Sequence, residues 1–387
     1  MSNLPCELLD HIVDLLDGNQ TPLRNCCLVS KSWIPRTRKH LFAEIRFRTA
    51  KSLQSWKKTF PDPSTSPARY AGALFIGGPQ GAAAADVEAG GWISGFSHVV
   101  RLEMVGLDIF ARGWANTFAL FHGFSPVVKS IRMDSLTFPP SPFFDLILSF
   151  PLLEDLTINN CYAGGSDGPS IVAQPLDLPI FTGSLALLRG GMGLIVQRLL
   201  SLPGGAHFRK LTLTWSHEED ISLTKALVEM CSHTLESLDI FCTSRGASAG
   251  RLRPHGSNSP FLVKPKSNLF NLQKVTELGD VVFRPGSLSV EWITLVLQAI
   301  TREHRELQRI SVIVPFSRWA GKDFGEGIFE QWSDLDHILA HLSESLSIRT
   351  NVRWERGHLW NGAAGNSAGC LFPEMRRRGM VTVDPEE

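Results

Sequence analysis

The chain has 387 residues, more than the ~100–200 usual for one domain, so a small module beside a large or elongated body is expected. Lys+Arg is 38 and Asp+Glu is 38, and this zero balance offers no basic excess of the kind that marks nucleic-acid or acidic-membrane binding. A hydrophobic fraction of 43% excludes wholesale disorder, residues 1–20 carry no basic leader region, and the longest apolar run, around Ile293–Ile300, is broken by Gln298 and falls short of the ~20 residues of a membrane helix.

Residues 3–17 (NLPCELLDHIVDLLD) read as the first helix. Pro5 suits a first helical position, where a missing N–H costs nothing, and Glu7 complements the helix dipole. Two adjoining apolar stripes follow, Leu8-Ile12-Leu15 and Leu9-Val13-Leu16, together wide for a surface helix. Gly18-Asn19 stops it, and Thr21-Pro22 opens a second helix through Leu23, Cys26, Cys27, Leu28 and Val29. Ser30 caps a third, which carries Trp33, Ile34, Leu41 and Phe42, with Pro35 early enough to be tolerated. Modules of ~40 residues seldom bury so many apolar side chains alone. Part of this surface is expected to meet another chain or the rest of this one.

The string LPCELLDHIVDLLD…TPLRNCCLVSKSWIPRTRKHLF resembles an F-box. The residues in that frame are Leu4-Pro5, Glu7-Leu8-Leu9, Ile12, Leu28-Val29-Ser30-Lys31-Ser32-Trp33 and Leu41-Phe42, about a tenth of the chain. The resemblance implies docking onto the small adaptor subunit of SCF-type cullin ubiquitin ligases. Carried over position by position, the adaptor contacts would be Leu4, Pro5, Leu8, Ile12, Leu23, Val29 and Trp33, with Trp33 equally readable as the module's own core. Cys27 fills a slot that is small or apolar in the family.

From Tyr70 onward an apolar–x–apolar pattern recurs at Leu74, Leu102, Ile131, Leu156, Leu185, Leu211 and Leu238, at spacings of 25 to 29 residues, then at Val275 and Ile310 after longer gaps. Alternation of this kind marks a strand with one buried face. Helix-like stretches lie between at 115–124, 142–150, 193–202, 223–232 and 290–305. A strand and a helix about every 27 residues is the signature of a leucine-rich-repeat solenoid, whose units stack because none can bury its apolar face alone. LLEDLTINNC and TLESLDIFC fit the repeat frame best, with Asn159-Asn160-Cys161 where such repeats satisfy turn backbone groups with a polar residue. The F-box-plus-degenerate-repeat layout is similar to that of fungal F-box proteins. Gly/Ala-rich residues 77–91, residues 163–175 and the Ser/Gly/Arg/Pro-rich 243–260 are expected as loops, the last as an insertion.

Phe329–Leu346 is expected as an amphipathic helix capping the solenoid, followed by a last strand at 352–354, a loop over 361–370, a short helix at 371–378 and an edge strand at 380–383. The fold class expected is therefore α/β: a three-helix F-box over 1–43, a linker helix or loop over 44–69, an irregular leucine-rich-repeat-like solenoid of parallel strands alternating with helices over 70–355, and a cap or tail over 356–387.

Enzyme signatures are sparse. His337 and His341 stand four apart, but Ile338 occupies the place of the glutamate that a zinc protease requires. His217-Glu218-Glu219-Asp220 lacks a second histidine, and Gly321-Lys322 is not part of a P-loop. The seven cysteines are scattered without a CxxC pair, which fits reduced thiols of a cytosolic or nuclear protein and no metal site. No cofactor is expected. The reading is a non-catalytic substrate-recognition adaptor. Its partners are the SCF adaptor, cullin through it, and an unidentified target protein, with no nucleic acid or membrane. A scaffold that binds the adaptor without ubiquitylation, and an enzyme with a site built from distant residues, are the other classes.

Overall fold

The computed structural model describes residues 5–77, 90–106, 127–138, 140–163, 181–188, 192–202, 204–215, 218–242, 275, 278–285, 290–298, 300, 304, 306–315, 326–355 and 371–383. Two compact units divide at Ile180 and Phe181. The expected helix at 115–124, the insertion at 243–260, most of the loops at 77–91 and 163–175, and the loop at 361–370 fall outside the described residues.

The first unit opens with α1 (Cys6–Asp14), α2 (Gln20–Val29), a single tight turn (Lys31–Trp33) and α3 (Ile34–Leu41). Pro5 is the N-cap of α1, one place earlier than expected, and Gly18 adopts φ +81, a left-handed conformation that a side chain resists. The Ser30 side chain accepts from the Ser32 N–H.

A parallel sheet follows directly. Its strands are β1 (Glu44–Phe47), β2 (Ala73–Gly77), β3 (Arg101–Val105), β4 (Ser130–Asp134) and, beyond the two-residue β5 (Thr137–Phe138), β6 (Asp155–Asn159). β1 pairs β2, β2 pairs β3, β3 pairs β4 and β4 pairs β6, all in parallel. The span 44–69 is thus more than a linker: β1 starts the sheet and α4 (Ala50–Thr59) follows, with Thr49 and Ser52 forming a reciprocal capping box. β7 (Tyr162–Ala163) pairs β5 in a separate ribbon, and α5 (Pro140–Leu148) stacks Phe143 on Phe138, centroids 3.7 Å apart.

Burial explains why these segments are strands. Ile45, Phe47, Leu74, Ile76, Leu102, Met104, Ile131, Met133, Leu156 and Ile158 are all at most 6% exposed, and they alternate with partly solvated neighbours. The buried face looks toward the helices: Phe47 meets Trp56 of α4 edge-on at 5.7 Å. A left-handed residue ends three consecutive strands, Gly106, Ser135 and Asn160. There the backbone is satisfied strand to strand, Gly106 N–H donating to Asp134 O and Ser135 N–H to Asn159 O, both 2.9 Å. Of the Asn159-Asn160-Cys161 step, Cys161 does satisfy a turn backbone group, its Sγ donating to Asn159 O at 3.2 Å, whereas the two asparagine side chains act differently. Their amides donate sideways to the preceding repeat, Asn159 Nδ2 to Asp134 Oδ2 at 2.8 Å and Asn160 Nδ2 to Ser135 Oγ at 3.2 Å.

The second unit contains β8 (Ser184–Leu188), α6 (Met192–Leu200), β9 (Lys210–Trp215), α7 (Glu218–Met230), β10 (Ser237–Cys242), β11 (Asp280–Arg284) and α8 (Glu291–Gln298). It continues through β12 (Arg309–Pro315), α9 (Glu326–Ser345), β13 (Arg349–Glu355), α10 (Pro373–Arg377) and β14 (Val381–Val383). Strands β8 to β14 pair in chain order, each pair parallel. Val275 is a buried residue ahead of β11, not its centre: the strand pairs Val281 with Leu238 and with Ile310. The second and fourth residues of β8 to β13 are again buried, with Phe283 against Trp292 of α8 at 5.6 Å and Thr350 Oγ1 donating to Met375 Sδ of α10.

The architecture is α/β, parallel strands alternating with helices. The short helix expected at 371–378 and the edge strand expected at 380–383 are present as α10 and β14. Asp336 of α9, 1% exposed, anchors α10 by accepting from the N–H groups of Glu374 (2.7 Å) and Met375 (2.9 Å).

Candidate docking surface

The two stripes of α1 part company. Val13 is 1% exposed and Leu9 and Leu16 are half-buried, so that stripe faces α3 and the turn before it. Leu8, Ile12 and Leu15 stand 50%, 40% and 73% exposed. On α2, Leu23 and Cys26, a turn apart, point inward, whereas Leu28 and Val29 at its C-terminal end are 86% and 67% exposed. Five of the nine most exposed large apolar side chains among the described residues therefore lie between residues 8 and 29. Single exposed leucines are ordinary on a protein surface; a concentration on two consecutive short helices is not.

A polar clasp sets the angle of α1. Asp14, at its last turn, receives Arg36 of α3 in a two-pronged contact, Nε to Oδ1 at 2.6 Å and Nη2 to Oδ2 at 2.5 Å. One turn on, His40 places Nε2 2.7 Å from Asp14 Oδ1 and Nδ1 3.1 Å from Asp17 Oδ1. Hydrogen bonding from Arg36, then from His40, holds the Asp14 carboxyl well below the ordinary carboxylate range. With Leu9, Val13 and Leu16 inward and Asp14 tied at the end, the helix is left with Leu8, Ile12 and Leu15 outward. α3 carries Arg38 and Lys39 exposed on its solvent side.

Of the contacts expected from the sequence, Leu4 lies outside the described residues. Pro5, Leu8, Ile12 and Val29 are exposed, and Trp33 is half-buried. Leu23 is the correction: at 2% exposed it is a core residue holding the helices together and offers no surface in this conformation. Sequence reasoning passed over Leu15 and Leu28, the two most exposed apolar residues of the group. Leu15 was visible in the outer stripe. The clasp left no sequence signal, since Asp14 and Arg36 are 22 residues apart and their pairing follows only from how α1 meets α3.

Elsewhere the described residues hold no group of three or more histidines, cysteines or carboxylates able to take a metal ion. His337 and His341 are exposed on α9. The letters Gly365-Asn366-Ser367-Ala368-Gly369 match a Gly-x-Ser-x-Gly pattern, which counts as a nucleophile elbow only on a sharp strand-to-helix turn. That segment lies outside the described residues. No helix among them is long and apolar enough to cross a membrane. No protein-family model matches the sequence, and no curated protein matches it.

Proposed function

We propose that α1 to α3 form an F-box that docks onto the adaptor subunit of an SCF-type cullin ubiquitin ligase. On this reading the strand-and-helix repeats behind it form a leucine-rich-repeat-like solenoid that holds a target protein. The observation that carries the reading is the exposure of the stripe Leu8-Ile12-Leu15 and of Leu28 and Val29 at the end of α2, apolar side chains that nothing in the described chain covers. The family likeness of the sequence over residues 4–42 supports the identity of the partner. Parallel pairing in chain order within each unit, and the recurring left-handed residue after β3, β4 and β6, support the repeat reading.

The chain would do no bond chemistry of its own. Its contribution is proximity: a target held on the repeats has its lysines near the charged ubiquitin carrier at an effective concentration set by the tether. Such a complex works in the cytoplasm or nucleus.

The test is capture of purified adaptor by the full chain. Leu8→Asp and Ile12→Asp each place a charge where the interface would be desolvated and are expected to abolish capture, with the far-UV spectrum unchanged. Capture by both variants at the wild-type level refutes the docking assignment. Cullin that co-purifies with the adaptor, together with a target that accumulates when residues 1–43 are deleted, separates a degradation receptor from a scaffold.

A further inference from the structure

In the second unit, the sheet face turned away from the helices carries a net positive charge, although the whole chain is neutral. The first, third, fifth and seventh residues of β9 to β13 carry five cations (Lys210, Arg284, Arg309, Arg349 and Arg353) against three carboxylates (Asp239, Asp280 and Glu355). Asp280 and Asp239 are each engaged by an arginine of the neighbouring strand. Arg309 Nη2 donates to Asp280 at 2.9 Å, and Arg284 donates to Asp239 at 3.4 and 3.5 Å while its guanidinium lies 4.6 Å over the Phe241 ring. Arg309 stays half exposed, and Lys210, Arg349 and Arg353 are exposed. The corresponding positions of β1 to β6 in the first unit hold three arginines against four carboxylates, so the sign is particular to the second sheet.

We infer that this face receives an acidic, extended polypeptide segment, the inference resting on the reading of the chain as a receptor for a target protein. In-register parallel strands lie ~4.8 Å apart, which puts Lys210 on β9 and Arg309 on β12 roughly 14 Å apart and Arg349 one strand further. An extended segment crossing the strands rises ~3.3 Å per residue, so carboxylates at i and i+4 span about 13 Å and match that spacing. Phe241 and Val282, half-buried between the cations, give apolar contact to residues in between. A nucleic acid is the poorer fit: tight binding neutralises about 6–10 phosphates, and this face carries five cations, of which Arg284 and Arg309 already pair with carboxylates and Arg353 is not without a partner.

The experiment uses the full chain and a fluorescein-labelled twelve-residue peptide with glutamate at alternate positions, compared by anisotropy with the same peptide carrying glutamine. The acidic peptide is expected to bind, the glutamine peptide to bind at least tenfold more weakly, and the gap to shrink with added salt. Lys210→Glu combined with Arg349→Glu is expected to weaken the acidic peptide tenfold or more. Arg101→Glu, exposed on β3 of the first unit, is expected to stay within twofold. Should the double reversal misfold, Lys210→Gln and Arg349→Gln singly are expected to cost two- to fivefold each. Equal affinity for the two peptides, equal loss in Arg101→Glu, or tighter binding of a twelve-nucleotide single strand overturns the inference. Adaptor capture, measured on the same proteins, should survive Lys210→Glu/Arg349→Glu. A wild-type chain that selects the acidic peptide but never captures adaptor leaves the peptide site standing and removes the docking reading alone.

Discussion

Leu23 and Leu28 sit five residues apart on one helix and should respond oppositely to the same substitution. Leu23 is 2% exposed and packs inside a module of about forty residues, where a cavity has little surrounding mass to collapse into it. Truncating a buried leucine to alanine costs ~2–5 kcal/mol, transfer and cavity together. A module this small has only a few kcal/mol to lose, so Leu23→Ala should leave α1 to α3 locally unfolded for much of the time. Leu28 is 86% exposed, so truncation removes almost no buried area and should change stability by no more than about 0.5 kcal/mol. Hydrogen exchange read by mass spectrometry over residues 6–41 is the assay. Leu23→Ala should lose protection there and keep it in the sheets; Leu28→Ala should match the wild type in protection while binding adaptor more weakly. Equal loss of protection in both variants would mean that α2 packs the other way round, and the assignment of inner and outer faces would fail.

Three further outcomes follow from contacts already described. Asp336→Ala removes both acceptors that hold the start of α10 and should cost ~2–4 kcal/mol in urea unfolding, with Asp336→Asn, which keeps one oxygen, losing about half as much. Asp14 has a folded-state pKa below its unfolded one, so its clasp contributes fully above about pH 4, the unfolded value, and is lost as pH falls through the depressed folded value. Exchange protection of α1 should fall on acidification in the wild type and be low and flat with pH in Asp14→Asn. Burial pushes the thiols of Cys161 and Cys231 up to about 11, so neither should react with a thiol-specific disulfide reagent at pH 8 until denaturant is added.

The repeat spacing was legible because leucine and isoleucine alternate with polar residues in a strand buried on one face. Seven of the strands inferred that way, at Leu74 through Leu238, stand where expected. β1 escaped notice since Glu44-Ile45-Arg46-Phe47 offers only two apolar residues between charged ones, and its strand state depends on β2 pairing beside it. β11 was misplaced because Val281-Val282-Phe283 is a continuous apolar run, whereas Val275 stood alone and looked like the end of an alternation. The helix α7 begins at Glu218, earlier than the apolar residues from Leu223 suggest, because its first turn is acidic and polar. On α1 the sequence displayed two apolar stripes but not which one turns inward. That choice follows from the Asp14–Arg36 contact, a tertiary fact with no local trace.

Titration calorimetry of the full chain with purified adaptor, repeated at several temperatures, tests the central claim most directly, because burial of apolar surface on binding leaves a negative heat-capacity change. The account predicts a one-to-one complex with such a change, reduced in Leu28→Ala and absent along with binding in Ile12→Asp. Binding whose enthalpy is independent of temperature, or no heat at all from a chain that remains folded, would contradict it.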